Sequence, residues 1–401
     1  MHTVTRAELA RFLLCVHGLS GPLAPRDAAA ETIQRLGMVQ IDSIRSTGLR
    51  NQELAWLARA EGEPGDLSRA AYADRLFLES HYPIHLVRRD LVPLLITNYA
   101  AMRRHHAPRR RRLAREIRHV REAIRERGPV MPRDLSSRRV IGGFNTVKAT
   151  TQALELLYYS GELMVAGRSA NFDRLFDLTE RVAPELAVWR RPSQSEYERF
   201  LVASALEVLK LATREQLVQR LRHHRGSWAS PALTPERARR IVDRYLKSGA
   251  AVPVHVSGLE EDALYWHPAE DAALWEGIGA PDPFVRLLPP LDTLLASRRR
   301  LKSLFEIEFK FEAYTPEALR RFYFAMPVAM DGDILGILDA RLSEGAWRID
   351  ALELRRPADP ERLRAGIRRI AALAGASRIL AGPRLERRLG RLLAGPLDRR
   401  A

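Results

Sequence analysis

The pattern that most restricts the fold of this 401-residue chain is a unit that occurs three times, in which a helix ends at a glycine and a short apolar strand follows. The three glycines are Gly37, Gly161 and Gly249. Glycine adopts the left-handed conformation that stops a helix more easily than any other residue. Each glycine therefore predicts the end of a helix at the equivalent position of a repeated helical module. The chain is long enough for two to four such modules.

The second and third copies of this unit carry enough signals to define a fold. In the second copy we predict three helices, over 115–127, at 132–135 and over 146–159, and then two strands, over 163–166 and 172–178. In the third copy we predict the same order, with helices over 194–209, at 213–216 and over 234–247 and strands over 251–256 and 263–267. The first copy, with helices over 5–17 and 26–36, fits this plan. Helices followed by a two-stranded wing are typical of a winged helix, which most often binds nucleic acid and in other proteins makes only protein contacts.

The region after residue 284 changes character. Apolar and charged residues alternate over 305–313, which predicts a long half-buried strand. Two apolar runs flank Asp331-Gly332-Asp333 and predict a hairpin, and further elements are a strand over 347–354 and a helix over 360–374. We therefore predict an α+β protein with three tandem winged-helix units, a small C-terminal β-domain and terminal helices. The predicted domains are 1–110, 111–190, 191–280 and 281–401.

The charge of the chain predicts its kind of partner. The net charge is +16 and the pI about 10.6. A strongly basic protein is attracted to polyanions such as DNA, RNA or an acidic membrane surface. No segment has the apolar length of a membrane span, and no heptad pattern predicts a dimerisation helix. We expect a monomer that binds nucleic acid through its winged-helix units and binds no membrane.

The sequence offers little for cofactor or metal chemistry. Cys15 is the single cysteine, which excludes an internal disulfide and fits a reducing cytoplasm. We therefore expect a cytoplasmic protein and, with nucleic acid as its partner, one that is associated with the nucleoid. His81 and His85 have the spacing of metal ligands, but Pro83 interrupts them and no further ligand completes the set. There is no phosphate-binding loop, dinucleotide fingerprint or nucleophile elbow. We predict no cofactor and no metal.

Two basic runs are candidate DNA contacts. The run over 103–112 is either a solvated linker between domains or a strap that binds phosphates, and the net charge favours the strap. The second run is 298–300, just before the alternating segment. The residues for which we predict DNA contacts are Arg50, His81, Arg109, Arg110, Lys148, Arg168, Arg298, Arg299 and Arg300.

The first copy of the repeated unit differs from the others in one respect. Its strand carries Gln40 and Asp42, which alternation places on one face, with Val39 and Ile41 on the other. A half-exposed strand alternates in this way without any function. The matched strands, however, are apolar at both positions, with Met164 and Ala166 in the second copy and Val252 and Val254 in the third. A lone carboxylate also opposes binding of a polyanion, so the pair indicates chemistry, in which the amide and the carboxylate hold and activate one water.

Several local sequences together resemble one family. They are 37–43, the stretch from Ser160 through Gly167 and Arg168 to 175–182, the segment from 288–292 to 298–300 with Phe305, and later Gly336, Asp339 and Arg341. The chain resembles the bacterial winged-helix DNA glycosylases of the YcaQ-like type, relatives of the AlkZ crosslink glycosylases. The resemblance implies tandem winged helices around duplex DNA and removal of alkylated bases, including unhooking of interstrand crosslinks. It also implies Gln40 and Asp42 as the catalytic pair, in the aspartate form that is similar to the YcaQ branch.

This resemblance leads to a specific hypothesis with open alternatives. We expect a monofunctional glycosylase in which Asp42 is the general base and electrostatic stabiliser and Gln40 positions the water. No lysine lies near them in sequence, although Lys148 and Lys302 could serve a lyase step. The segments 47–52 and 79–82 depart from the family's pattern, which leaves the preferred lesion open. The rival functions are a non-catalytic winged-helix regulator and a scaffold for protein contacts.

Overall fold

The computed structural model describes residues 2–80, 84–89, 92–142, 145–188, 190, 192–222, 233–258, 263–279 and 282–397. Its contacts divide the chain into two units built from non-consecutive segments. Unit 1 comprises Met1–Ser68, Ala205–Leu217 and Asp243–Ala401, and unit 2 comprises Arg69–Ser204 and Val218–Val242. The predicted division into four consecutive domains stays a prediction.

The elements up to residue 127 are mainly helical. In chain order they are β1 (His2–Thr5), α1 (Arg6–Val16), α2 (Ala29–Leu36), β2 (Met38–Gln40), α3 (Asn51–Leu57), α4 (Asp66–Ser68), a π-helix (Arg69–Ala73), β3 (Phe77–Ser80), β4 (His85–Arg88), α5 (Val92–His105), α6 (Ala107–Arg112) and α7 (Ala114–Arg127).

The middle of the chain alternates hairpins and helices. These elements are β5 (Arg139–Gly142), β6 (Asn145–Lys148), α8 (Ala149–Tyr159), β7 (Leu163–Arg168), β8 (Arg174–Leu178), α9 (Thr179–Val182), α10 (Gln194–Leu209), β9 (Ala212–Thr213), α11 (Arg214–Arg222), α12 (Pro235–Lys247), β10 (Ala251–Ser257) and β11 (Ala263–Pro268). The last part contains β12 (Arg286–Leu287), α13 (Arg298–Phe305), β13 (Met326–Met330), β14 (Asp333–Ser343), β15 (Ala346–Leu354), α14 (Pro360–Leu373), β16 (Arg378–Ala381), α15 (Arg387–Leu393) and β17 (Gly395–Pro396).

Unit 1 contains two sheets. One has the order β1-β10-β11-β9, and β1 joins it parallel to β10. The other has the order β12-β13-β14-β15-β16-β17, in which only the pairing of β15 with β16 is parallel. The core of unit 1 includes Phe12 of α1, Val254 of β10, Phe305 of α13 and Ile337 of β14. Helix α1 therefore packs against β10, α13 and β14, which come much later in the chain. Its first turn is closed by a capping box between Thr5 and Glu8.

Unit 2 is helical with three antiparallel hairpins, β3-β4, β5-β6 and β7-β8. Its core lies between α7, α8 and β7-β8, and includes Ile117, Val120, Leu157 and Phe176. Gly161 ends the turn after α8 with φ at +72°, and a Cβ there would lie 2.2 Å from the ring of Tyr99. The prediction of a glycine stop at this point is confirmed, since both the conformation and the close aromatic contact require glycine.

Most predicted elements are confirmed, and the fold is α+β with several sheets. One predicted element is wrong. The segment 306–313 forms no strand: Ile307 and Phe309 are buried and their neighbours exposed, but the segment lies in no sheet. The basic run over 103–112 lies in α5 and α6, and its contact with phosphates stays a prediction. The hairpin β5-β6 was not predicted. Among the described residues, no helix combines the length and the apolar character that a membrane span requires.

Candidate active site

The motif that contains Gln40 and Asp42 begins where α2 stops. Gly37 has φ at +70°, and its N–H donates to the carbonyl of Ile33, which turns the chain into β2. Strand β2 ends at Gln40, so Asp42 lies beyond it, whereas the sequence predicted a longer strand. The alternation is confirmed: Val39 and Ile41 are buried, and Gln40 and Asp42 are half-exposed. Both polar side chains therefore reach the surface from a buried support.

The first turn of α3 contacts the main chain of both motif residues. Asn51 Nδ2 donates to the carbonyl oxygen of Gln40 at 2.8 Å. Gln52 Oε1 accepts from the N–H of Asp42 at 3.1 Å. Asn51 and Gln52 are both buried. The sequence analysis missed these two residues as parts of the site, although two adjacent amides that follow the motif by about ten residues are a signal that could have found them.

The carboxylate of Asp42 carries an unbalanced charge. Among the described residues it accepts one hydrogen bond, from the N–H of Ile44 to Oδ1 at 2.7 Å, and it forms no ion pair. Several aspartates elsewhere in unit 1 do pair with arginines, namely Asp66 with Arg26, Asp243 with Arg214, Asp292 with Arg59, Asp331 with Arg362 and Asp350 with Arg341. The side-chain amide of Gln40 likewise has no hydrogen-bond partner within the described ranges. Both groups are therefore available to water or a ligand.

The loop that follows the motif is fixed by the six-stranded sheet. The indole N–H of Trp347 donates to the carbonyl of Thr47 at 2.9 Å, and the N–H of Leu342 donates to that of Ser46 at 2.8 Å. Gly48 has φ at +87°, and a Cβ there would lie 2.6 Å from the carbonyl oxygen of Ala374. This close approach requires glycine. The loop is thus held by two hydrogen bonds just before Gly48 and by close packing at Gly48 itself.

A segment of the C-terminal region also reaches the site. The N–H of Leu291 donates to Asn51 Oδ1 at 2.9 Å. The next residue, Asp292, forms a bidentate ion pair with Arg59, which follows α3. Both members of the pair are buried. The segment 289–292 belongs to one of the local sequences that resemble the family. It supports the motif through Asn51, which bonds to Leu291 and to Gln40.

The predicted DNA contacts divide into exposed and internally bonded residues. Arg109, Arg298 and Arg299 are exposed. His81 lies outside the described residues. Arg50 contacts Glu53 at 3.3 Å, and Lys148 donates to the carbonyl of Leu135 at 2.9 Å. Arg110 and Arg168 are bonded to glutamates of unit 2, Glu162 and Glu79 respectively.

Arg300 requires a correction, because it lies in the core of unit 1. Its guanidinium donates to the carbonyl oxygens of Leu209, Leu211 and Leu294 at 2.6, 2.7 and 3.3 Å. Burial lowers the pKa of Arg300 to about 10. The side chain is only 1% exposed, so its guanidinium cannot reach a phosphate at the protein surface. Arg300 thus joins α13 to the end of α10 and does not face a nucleic acid.

A cleft of about 430 Å³ lies next to the loop that follows the motif. Ser46 lines it, together with Arg341, Arg348 and Arg384. Asp350 pairs with both Arg341 and Arg348, and burial raises the pKa of Asp339, whose carboxylate accepts two main-chain N–H groups. Within the described ranges no group of three or more metal-ligating side chains is close enough to hold a metal ion.

The comparisons with known proteins agree with this arrangement. A family described as DNA glycosylase AlkZ-like matches residues 33–377, which include the motif, α3 and the segment 289–292. The chain belongs to the AlkZ-like DNA glycosylase family. This confirms the resemblance seen in the sequence at the level of the family, and a DNA glycosylase role follows from it. The AlkZ-like match begins within α2, so the residues of the candidate site all lie inside it.

A solved structure supports the AlkZ-like fold independently. The chain is similar to the Streptomyces sahachiroi DNA glycosylase AlkZ, with a TM-score of 0.59 and 15% sequence identity. The match covers 96% of this chain and 100% of that chain. At this identity the likeness shows a shared fold. The DNA glycosylase role therefore rests on the family match and not on this structural likeness.

Proposed function

We propose that this AlkZ-like protein hydrolyses the N-glycosidic bond of alkylated purines and unhooks DNA interstrand crosslinks. Asp42 acts as general base and electrostatic stabiliser, and Gln40 positions the attacking water. The observation that carries the proposal is the half-exposed, unpaired carboxylate of Asp42 in a protein of net charge +16. A negative charge is unfavourable for DNA binding at this point, and it is useful for a reaction that develops positive charge.

The chemistry of the leaving group explains why a carboxylate suffices. A purine alkylated on a ring nitrogen is cationic, so it leaves without prior protonation, and the sugar acquires oxocarbenium character. One carboxylate about 4 Å from a unit positive charge contributes about 4 kcal/mol at an effective dielectric of about 20. That free energy corresponds to a rate factor of about 1,000. Asp42 then takes the proton of the water that attacks the sugar carbon, and Gln40 orients this water by its amide.

The exposure of the motif fits a bulky lesion. Gln40, at the end of β2, and Asp42, two residues beyond it, are both half-exposed. A base that is crosslinked to the opposite strand cannot be flipped into an enclosed pocket, so it requires an accessible site. This supports crosslinked as well as methylated purines as substrates. The aspartate at position 42 assigns the chain to the YcaQ-like branch within this proposal.

The duplex is bound by tandem winged-helix units in this proposal, and the protein acts as a monomer at the nucleoid. Exposed arginines on α6 and at the start of α13 supply phosphate contacts, among them Arg109 and Arg298. The mechanism is monofunctional. Lys148 donates to the carbonyl of Leu135, and Lys302 pairs with Glu308 at 2.7 Å, so each amine already has a partner.

The experiment that tests the proposal measures base release. Duplexes that carry 7-methylguanine or a nitrogen-mustard crosslink are incubated with the protein, and abasic sites are revealed as strand breaks after alkali. Wild type should release the base, and Asp42→Asn and Gln40→Ala should lose most of this activity. Asp27→Asn, at an exposed aspartate of unit 1, is the matched control and should retain it. Absence of release from any lesion would favour a non-catalytic DNA-binding protein.

A further inference from the structure

Two adjacent amides hold the main chain of the two motif residues. Asn51 bonds to the carbonyl of Gln40 and Gln52 bonds to the N–H of Asp42, at 2.8 and 3.1 Å. The exposed fractions of Asn51 and Gln52 are 1% and 3%, so both supporting side chains are buried although the residues that they hold are half-exposed. Each motif residue is thus fixed by one buried side chain, and both side chains come from the same turn of α3.

The amide of Asn51 is bonded at both ends. Its nitrogen donates to Gln40, and its oxygen accepts from the N–H of Leu291. A carboxamide whose donor and acceptor sides are both used has one orientation that satisfies its partners. Asn51 therefore fixes the distance between β2 and the segment 289–292, which the Arg59–Asp292 ion pair in turn joins to the end of α3.

The bond from Gln52 acts where the strand has ended. Strand β2 stops at Gln40, and Asp42 lies two residues further on. The N–H of Asp42 is held by Gln52, and its carboxylate oxygen Oδ1 is held by the N–H of Ile44 at 2.7 Å. The main chain and the carboxylate of Asp42 are therefore positioned separately, and Oδ2 is directed away from the bond with Ile44.

We propose that Asn51 and Gln52 are positioning residues that hold Gln40 and Asp42 at the spacing and orientation at which they share one water. This inference rests on the proposed function. A purely structural reading is that the two amides satisfy buried polar groups and contribute stability alone. The two readings differ in a measurable way. Positioning predicts a slower chemical step with unchanged DNA affinity, whereas a structural role predicts a lower melting temperature and a normal rate in the folded variant.

The test compares three substitutions of Gln52 with a matched control. Gln52→Met removes the acceptor at similar length, Gln52→Asn withdraws it by one methylene, and Gln52→Glu keeps an acceptor in place. The control is Gln216→Met, because Gln216 Oε1 accepts from the N–H of Thr213 at 3.0 Å in the same unit, away from the motif. Single-turnover release of 7-methylguanine is measured against enzyme concentration, together with the melting temperature.

The expected results follow from the geometry. Gln52→Met and Gln52→Asn should lower the maximal single-turnover rate by about 100-fold, the scale of a misplacement of about 1 Å. The enzyme concentration that gives half of the maximal rate should change by less than about twofold, because only the chemical step is affected. Gln52→Glu should restore the rate to within about tenfold of wild type, since it keeps the acceptor. Gln216→Met should react like wild type. Gln52→Asn and Gln52→Glu decide the question if Gln52→Met does not fold.

A folded Gln52→Met or Gln52→Asn variant that reacts at the wild-type rate would overturn the positioning role, and so would a Gln52→Glu variant as slow as Gln52→Met. Asp42→Asn separates this result from a failure of the proposed function. If wild type releases no base, or Asp42→Asn releases it equally fast, the proposed function fails. If Asp42→Asn is inactive and Gln52→Met is fully active, only the positioning role fails.

Discussion

Arg59 and Asp292 form a buried bidentate ion pair, with nitrogen–oxygen distances of 2.8 and 2.9 Å. Arg59 follows α3, whose first turn holds Gln40 and Asp42, and it also donates to the carbonyls of His17 and Ala55. Asp292 is the last residue of the segment 289–292, in which the N–H of Leu291 donates to Asn51 Oδ1. The pair therefore joins α3 to the segment 289–292, the two elements that support the candidate site, although Arg59 and Asp292 are 233 positions apart in the sequence.

Breaking this pair should destabilise the protein strongly. Arg59→Met leaves the carboxylate of Asp292 buried without its counter-charge, for which we expect a loss of about 3–5 kcal/mol in the free energy of unfolding. Urea denaturation followed by circular dichroism measures this loss. The control is Lys302→Met, which breaks an exposed pair with Glu308 and should cost less than about 1 kcal/mol. Equal losses in the two variants would contradict the prediction.

Arg168 should behave as a structural residue of the β7-β8 hairpin. It pairs with the buried carboxylate of Glu79, to which Tyr72 also donates at 2.7 Å. Arg168→Gln should therefore cost about 3–5 kcal/mol in the free energy of unfolding. Arg133, whose contact with Asp173 of the same hairpin is exposed, is the matched control and should cost less than about 1 kcal/mol when changed to glutamine. Thermal denaturation of both variants distinguishes a structural role of Arg168, which predicts strong destabilisation, from a role in DNA contact alone, which does not.

The stability of unit 1 should fall in mildly acidic solution because of His17. Burial and the charges of Arg300, Arg59 and Lys210 hold the pKa of His17 well below its usual value of 6.5. The folded state keeps this imidazole neutral, and the unfolded chain protonates it, so stability is lost as the pH falls below about 6.5, by at most about 1.4 kcal/mol per pH unit. His17→Gln should remove this part of the pH dependence. An identical slope in wild type and variant between pH 6.5 and 5.5 would be inconsistent with a buried neutral histidine.

Neighbouring arginines of the run 298–300 should have opposite phenotypes. Arg298 is exposed, so Arg298→Gln should leave stability unchanged and reduce the slope of log K against log salt for duplex binding by about 0.9. Arg300→Met should leave that slope unchanged and lower the melting temperature, because three carbonyls lose their donor. Fluorescence anisotropy at several salt concentrations measures the slopes. A reduced slope for Arg300→Met would refute its assignment to the core.

Local patterns predicted most of the fold. Apolar periodicity and the glycine stops placed α10 at its observed bounds and both strands of the β7-β8 and β10-β11 hairpins within a few residues. The burial of Val39 and Ile41 beside the exposed faces of Gln40 and Asp42 was likewise predicted from alternation. These features depend on residues close together in sequence, which is why the sequence alone reveals them.

Features that depend on distant partners were not predicted. Alternation correctly predicted burial over 306–310 and failed at Phe311 and Glu312, and the segment forms no strand because it lies in no sheet. The donors of Arg300 meet carbonyls about 90 residues earlier, and Asn51 meets Leu291 across 240 residues. A single sequence does not show such pairings. The core position of Arg300 and the amide support of the motif became visible only in the folded structure.

The most direct test of the central claim is the single-turnover rate of 7-methylguanine release by Asp42→Asn, at saturating enzyme and compared with wild type. If the carboxylate of Asp42 stabilises the positive charge of the transition state, the rate should fall by about 1,000-fold while the affinity for the duplex is retained or increased. A folded Asp42→Asn variant that releases the base at the wild-type rate would contradict the claim.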